Sequence, residues 1–142
     1  MMRTDVEPRT ALFAELARLR QAVPAITGCL VASTDGLLIA DDAPALAPEG
    51  IAALAAACLG VSQRIADSAG HEEFQEVLIG GSGGYTAMYM ADHGAVLVLL
   101  ARADANVGML HHAARRSIAV ISRVVAGAAL SFAHALPEPV PW

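Results

Sequence analysis

Between Glu49 and Arg64 the chain carries no charge at all, yet Gly50–Gln63 (Gly-Ile-Ala-Ala-Leu-Ala-Ala-Ala-Cys-Leu-Gly-Val-Ser-Gln) reads as a helix. A helix on the outside of a small domain should show one apolar stripe and one polar face. Here Ile51, Leu54, Cys58 and Val61 form the stripe, while Ala53, Ala56, Ala57 and Gly60 cover the opposite side. Such a helix needs cover twice, once from its own sheet and once from something else. In a chain of 142 residues, large enough for one core and too small for two, the simplest second cover is another copy of the chain. The small residues Ala53, Ala57 and Gly60 would let two such helices approach closely.

Composition supports buried protein surface. Hydrophobic residues make up 56% of the chain and charged residues 16%, against about 25% charged in an ordinary soluble domain. No segment reaches the roughly 18 uninterrupted apolar residues of a membrane span. Arg3, Asp5, Glu7, Pro8 and Arg9 occupy the place where a signal peptide would be apolar. A cytoplasmic location follows as the expectation, with a partner as the route to any membrane and no direct insertion.

The formal net charge is −5 and all nine basic residues are arginine. Phosphate neutralisation needs a basic stripe, so nucleic acid is not an expected partner. Without lysine there is no P-loop lysine, Schiff base or kinase-type lysine. Cys29 and Cys58 sit among apolar neighbours without CxxC spacing and read as buried hydrophobes. The histidines His71, His93, His111, His112 and His134 fall on different elements or faces, so no metal and no cofactor is expected.

The order of elements follows from periodicity and punctuation. Leu12–Val23 has helical spacing, with Thr10 as its cap and Pro24 as its stop. Gly28–Ser33 and Leu37–Ala40 flank Asp35-Gly36, which predicts a β-hairpin. The all-apolar helix runs from about Pro48 to Ser68 and ends at Gly70. Glu73–Ile79 reads as a strand whose glutamates suggest a sheet edge. Gly80–Gly84 is a turn and not a phosphate cradle, because strands flank it on both sides and Tyr85 follows. Tyr85–Asp92 is a strand, His93-Gly94 a second tight turn, and Ala95–Ala101 a strand apolar on both faces. Asn106 caps a final helix from Val107 to about Ala135, with Leu110, Ala114, Ile118, Ile121, Val125 and Ala128 facing inward and His112, Arg115, Arg116, Ala119 and Arg123 outward. The result is α-β-β-α-β-β-β-α, an α+β fold with a five-stranded, mainly antiparallel sheet and helices on both faces. The domain spans 11–135, between an N-terminal tail (1–10) and a proline-rich C-terminal tail (136–142). His71 and Glu72 could form a base pair in catalysis, but no nucleophile lies at a usable spacing. Asp41 and Asp42 are too few for calcium. No active site assembles, and the chain reads as not an enzyme.

The run Val23-Pro24-Ala25-Ile26-Thr27-Gly28-Cys29-Leu30-Val31-Ala32-Ser33-Thr34-Asp35-Gly36-Leu37-Leu38-Ile39-Ala40 resembles the opening of roadblock proteins, the dynein light chain seven family. It departs from the family pattern at Ala25, where glycine is common. The likeness in element order extends from about Leu12 to Leu130, and the layout is shared with longin and profilin-like domains. The resemblance implies dimers in which the second helix lies against its twin and the third strand continues into the partner's sheet. Ala53, Leu54, Ala57, Gly60, Val61, Glu76 and Val77 would then form the dimer interface. It further implies a non-catalytic regulator or scaffold of a small Ras-like GTPase, as in actinobacterial members, with a sensor-kinase-like protein as another partner. Glu49, Gln63, Arg64 and Asp67, on the wet margin of the helix, are the expected GTPase contacts, with Arg64 paired to Asp67 one turn on. The alternatives are a profilin-like small-molecule sensory module and a structural subunit of a larger complex.

Overall fold

The computed structural model describes residues 7–44 and 46–135, the last seven of these as backbone only. The first six residues, the tail 136–142 and the His134 side chain lie outside the described residues.

Helix α1 spans Pro8–Ala22 and therefore starts earlier than the Leu12 expected from periodicity. Thr10 is not its cap. Proline at the first helical position has no N–H to leave unsatisfied and carries a helix-compatible φ. The first turn is also tied down: Arg9 Nε donates to the Ile39 carbonyl at 3.0 Å and the Arg9 guanidinium lies 5.6 Å over the Phe13 ring. Leu12, Glu15, Leu16 and Leu19 face inward.

Strands β1 (Ile26–Ser33) and β2 (Leu38–Asp42) form the expected antiparallel hairpin, with Gly36 at φ +91° in its turn. Helix α2 occupies Pro48–Ser68, and Gly70 follows at φ +73°. β3 runs Glu76–Gly81 and not Glu73–Ile79. Glu72 sits at φ +65°, and the chain beyond it turns Phe74 under α2 before it can extend. β3 and β4 (Gly84–Met90) are joined through Ser82-Gly83, so the glycine cluster is a hairpin as expected, with three glycines, Gly80, Gly81 and Gly84, inside the ladder. A single helical turn over Asp92–Gly94, with His93 at φ +63°, leads to β5 (Ala95–Arg102). Helix α3 spans Val107–Ala135, and Asn106 Oδ1 accepts from the Met109 N–H at 3.1 Å.

All pairings are antiparallel and the sheet order is β2-β1-β5-β4-β3. Side chains alternate across a strand, so central β5 sends Val96 and Val98 to one face and Leu97 and Leu99 to the other. The second face lies under α1 and α3, where Leu12, Leu16, Leu19, Leu110, Ala114 and Ile121 complete the larger core. The first lies under α2 alone, through Ala52, Ala55 and Leu59. This explains why the Val96–Leu100 run is apolar without interruption. At the α1–α3 contact the buried Glu15 carboxylate accepts a 2.6 Å hydrogen bond from Ser117 Oγ and another from Arg18.

Candidate functional site

Helix α2 meets the sheet through its smallest side chains. Its inward residues are Ala52, Ala55, Leu59 and Ala66, with Ile51 and Cys58 half-buried at the flanks. This corrects the single stripe of Ile51, Leu54, Cys58 and Val61: Leu54 and Val61 point to solvent at 73% and 60% exposure, and Ile65 joins them at 63%. A helix seated on alanines can lie close to the sheet. At Gly36 of the first hairpin, a Cβ would come within 3.4 Å of the Ala53 Cα.

The outward face is one continuous surface. Ala53, Ala57 and Gly60 are exposed beside Leu54, Val61 and Ile65, with Ala57 near its middle. A Cβ at Gly60 would meet nothing within 4 Å. Next to this face the sheet ends. Among the described residues β3 pairs only with β4, leaving its other backbone edge open, and Leu78 and Ile79 on it are 39% and 46% exposed. Between α2 and β3 runs an open hollow of about 600 Å³, lined by Ser62, Ile65, Phe74 and Val77 among others. Val77 is half-buried under α2, while Glu76 points to the opposite face and pairs with Arg115 of α3 at 3.2 Å. The two expected interface residues of β3 therefore lie on different sides of the sheet.

The four residues expected on the wet margin are all exposed but do not form one cluster. The helical rise of 1.5 Å per residue puts Glu49 about 21 Å from Gln63 along the axis. Gln63 and Asp67 line a groove of about 440 Å³ that also holds Glu72, Glu73 and Glu76. Arg64 turns away from it, toward Val61 and Ile65. Among the described residues Arg64 and Asp67 form no ion pair, contrary to the expected i,i+3 bridge.

Several of the remaining polar residues have structural partners. Asp42 pairs with Arg20 at 2.8 Å. Adjacent His111 and His112 diverge: His111 Nδ1 lies 2.6 Å from the buried Tyr89 hydroxyl, whereas His112 faces solvent. Burial, with the charge of Glu76, pushes the Tyr89 phenol up to about 12. Burial, with the charge of Asp42, likewise pushes the Cys29 thiol up to about 12, far from a reactive thiolate. Among the described residues no trio of His, Cys, Asp or Glu is placed to hold a metal ion, and no helix is long and apolar enough to cross a membrane.

The sequence profile of the Roadblock/LC7 domain matches residues 12–101. The chain belongs to the Roadblock/LC7 domain family. An uncharacterised protein of Methanocaldococcus jannaschii is 33% identical to it over 93 residues, which are 65% of this chain and 81% of that one. Myxococcus xanthus MglB superimposes with a TM-score of 0.77 at 16% identity, covering 89% of this chain and 96% of MglB. An MglB structure with a tetrameric arrangement gives a TM-score of 0.80 at 22% identity, over 87% of this chain and 94% of its own. The roadblock domain thus has its five strands and three helices in the order expected. Sequence reasoning missed the exposure of Ile65 and Ile79 on the α2 side of the sheet and of Leu78 on the opposite side. Ile65 could have been found, because it lies four residues beyond Val61 on the same helical side.

Proposed function

We propose that this roadblock domain is a non-catalytic homodimer that regulates or scaffolds a small Ras-like GTPase in bacterial signalling. The observation that carries the reading is the outward apolar face of α2 beside the open β3 edge. Exposed Leu54, Val61 and Ile65 would recover about 1–2 kcal/mol each on burial. A two-fold axis doubles the set, giving about 6–12 kcal/mol. The rigid-body cost of association is about 4–15 kcal/mol, so pairing of the β3 edges and tight packing at Ala53, Ala57 and Gly60 decide the balance. The resemblance to GTPase-associated roadblock proteins suggests the second partner, with Glu49, Gln63, Arg64 and Asp67 as its contacts and a sensor-kinase-like protein upstream.

Sedimentation velocity at micromolar concentration tests the first half: wild type should run as a dimer, and a concentration-independent monomer would refute it. Single-turnover GTP hydrolysis by a Ras-like GTPase from the same genome tests the second. An arginine finger is worth about 10³–10⁵ in rate. Arg64 lies among Val61 and Ile65 on the apolar face, so Arg64→Ala should change any stimulated turnover less than about tenfold, under roughly 1.4 kcal/mol. A thousandfold collapse at unchanged affinity would instead make Arg64 catalytic.

A further inference from the structure

The surface built by α1 and α3 has a charge opposite to that of the chain. The net charge is −5, yet Val107–Ala135 contains no aspartate or glutamate. His112, Arg115, Arg116 and Arg123 are exposed on the outer side of α3, and Arg18 joins them from α1. The one carboxylate of the α1–α3 contact, Glu15, is buried and engaged by Ser117 and Arg18. Arg115 is held by Glu76, whereas among the described residues Arg116 and Arg123 have no carboxylate partner.

Shape narrows the class of ligand. Between the two helices is a cleft of about 170 Å³ with Leu19, Val23 and Met109 in its lining and Arg18, His112 and Arg116 among the polar side chains around it. Met109 is 57% exposed, the large apolar side chain left open there. A concave site with room for about one side chain suits a peptide anchor. A lipid surface would need a broad apolar face, and outward α3 offers His112, Arg115, Arg116, Ala119 and Arg123 instead. Arg116 and Arg123 are two helical turns apart, about 10.5 Å along the axis. An extended chain covers about 10 Å in three residues, so carboxylates at that spacing would meet both.

We propose that the α1–α3 cleft docks an acidic, extended segment of a partner protein, seating one apolar side chain against Ala22, Met109 and Ala113, with carboxylates on Arg116 at the edge of the cleft and on Arg123 two turns further along α3. The site is on the opposite sheet face from α2, the helix on which the proposed dimer rests.

The test is fluorescence anisotropy of the full chain with a short synthetic peptide carrying one leucine and, on one side of it, two glutamates three residues apart. Binding should weaken with salt, as exposed charge pairs do, and fall at least about tenfold when the leucine is replaced by serine. Arg116→Glu with Arg123→Glu should abolish it, Arg116→Gln with Arg123→Gln should weaken it severalfold, and Arg64→Glu on α2 should leave it unchanged. Circular dichroism identifies any variant that fails to fold, and the glutamine pair then decides. Binding that ignores both the leucine and Arg116, or equally tight sedimentation with phosphatidylserine vesicles, would overturn the proposal.

Discussion

Ser117 Oγ donates a 2.6 Å hydrogen bond to the Glu15 carboxylate from the far end of the chain, and both residues are buried where α1 crosses α3. A buried charge is tolerated only when its lone pairs are engaged, and here Arg18 supplies the compensating cation. Burial alone would raise the Glu15 pKa, but the hydrogen bonds from Arg18 and Ser117, with the charges of Arg18 and Arg116, hold it below its ordinary value.

A carboxylate with a lowered folded-state pKa contributes stability above its unfolded pKa and loses it as pH falls through the folded value. Glu15→Gln should therefore cost about 1–3 kcal/mol at neutral pH. The gap from wild type should narrow as pH drops below 4.5, the ordinary value for the group. Urea unfolding near pH 7 and near pH 3 checks this, and a gap that widens on acidification would contradict the assignment.

Ala57→Glu should yield a folded monomer. It places a charge in the middle of the exposed α2 face, where a twin helix would leave it buried at a cost of several kcal/mol. Gly60→Ala distinguishes packing from charge. With open space around its Cβ, the alanine should raise monomer stability by up to about 1 kcal/mol through helix propensity while loosening the assembly. Sedimentation and chemical denaturation of the same samples separate the two effects.

The β3 edge is open and its Ile79 is 46% exposed. A lysine on an edge strand discourages edge-to-edge pairing. Ile79→Lys should raise the dimer dissociation constant at least about tenfold, roughly 1.4 kcal/mol, without lowering monomer stability. An unchanged dissociation constant would remove β3 from the interface.

Within the glycine cluster the structure distinguishes positions that sequence leaves equivalent. Gly84 has φ +156° and a Cβ there would collide with the Ala101 carbonyl oxygen of β5. At Gly80 a Cβ would make ordinary contact with the Tyr85 ring, 3.5 Å away. Gly84→Ala should destabilise the fold by more than about 2 kcal/mol and Gly80→Ala by less than about 1 kcal/mol, measured as shifts in the unfolding midpoint.

Much of the architecture was readable because its signals are local. Pro48 and Gly70 bracket α2, Asp35-Gly36 announces the first hairpin, and two-sided apolarity marks Val96–Leu100 as a central strand. What escaped depends on contacts between distant segments. Helical periodicity finds two faces on α2 but does not say which meets the sheet; Leu54 and Val61 turned outward because the alanine side allows closer seating. The Glu15–Ser117 bond exists only after α1 and α3 meet, so nothing near Glu15 in sequence reveals it. The start of β3 was displaced by the positive φ of Glu72, a conformation that glutamate rarely adopts and that its neighbours do not encode.

The placement of β5 bears on how this domain can be made. Among the described residues it is the last strand to be synthesised and the middle strand of the sheet. β1–β2 and β3–β4 do not pair with each other; each meets the other's half of the sheet only through β5. On the ribosome both hairpins must therefore wait as separate ribbons with unpaired inner edges until Arg102 has emerged. A chain interrupted before that point would have two half-sheets and nothing to join them. Until then the two ribbons are exposed to chaperones and proteases in a way the finished sheet is not.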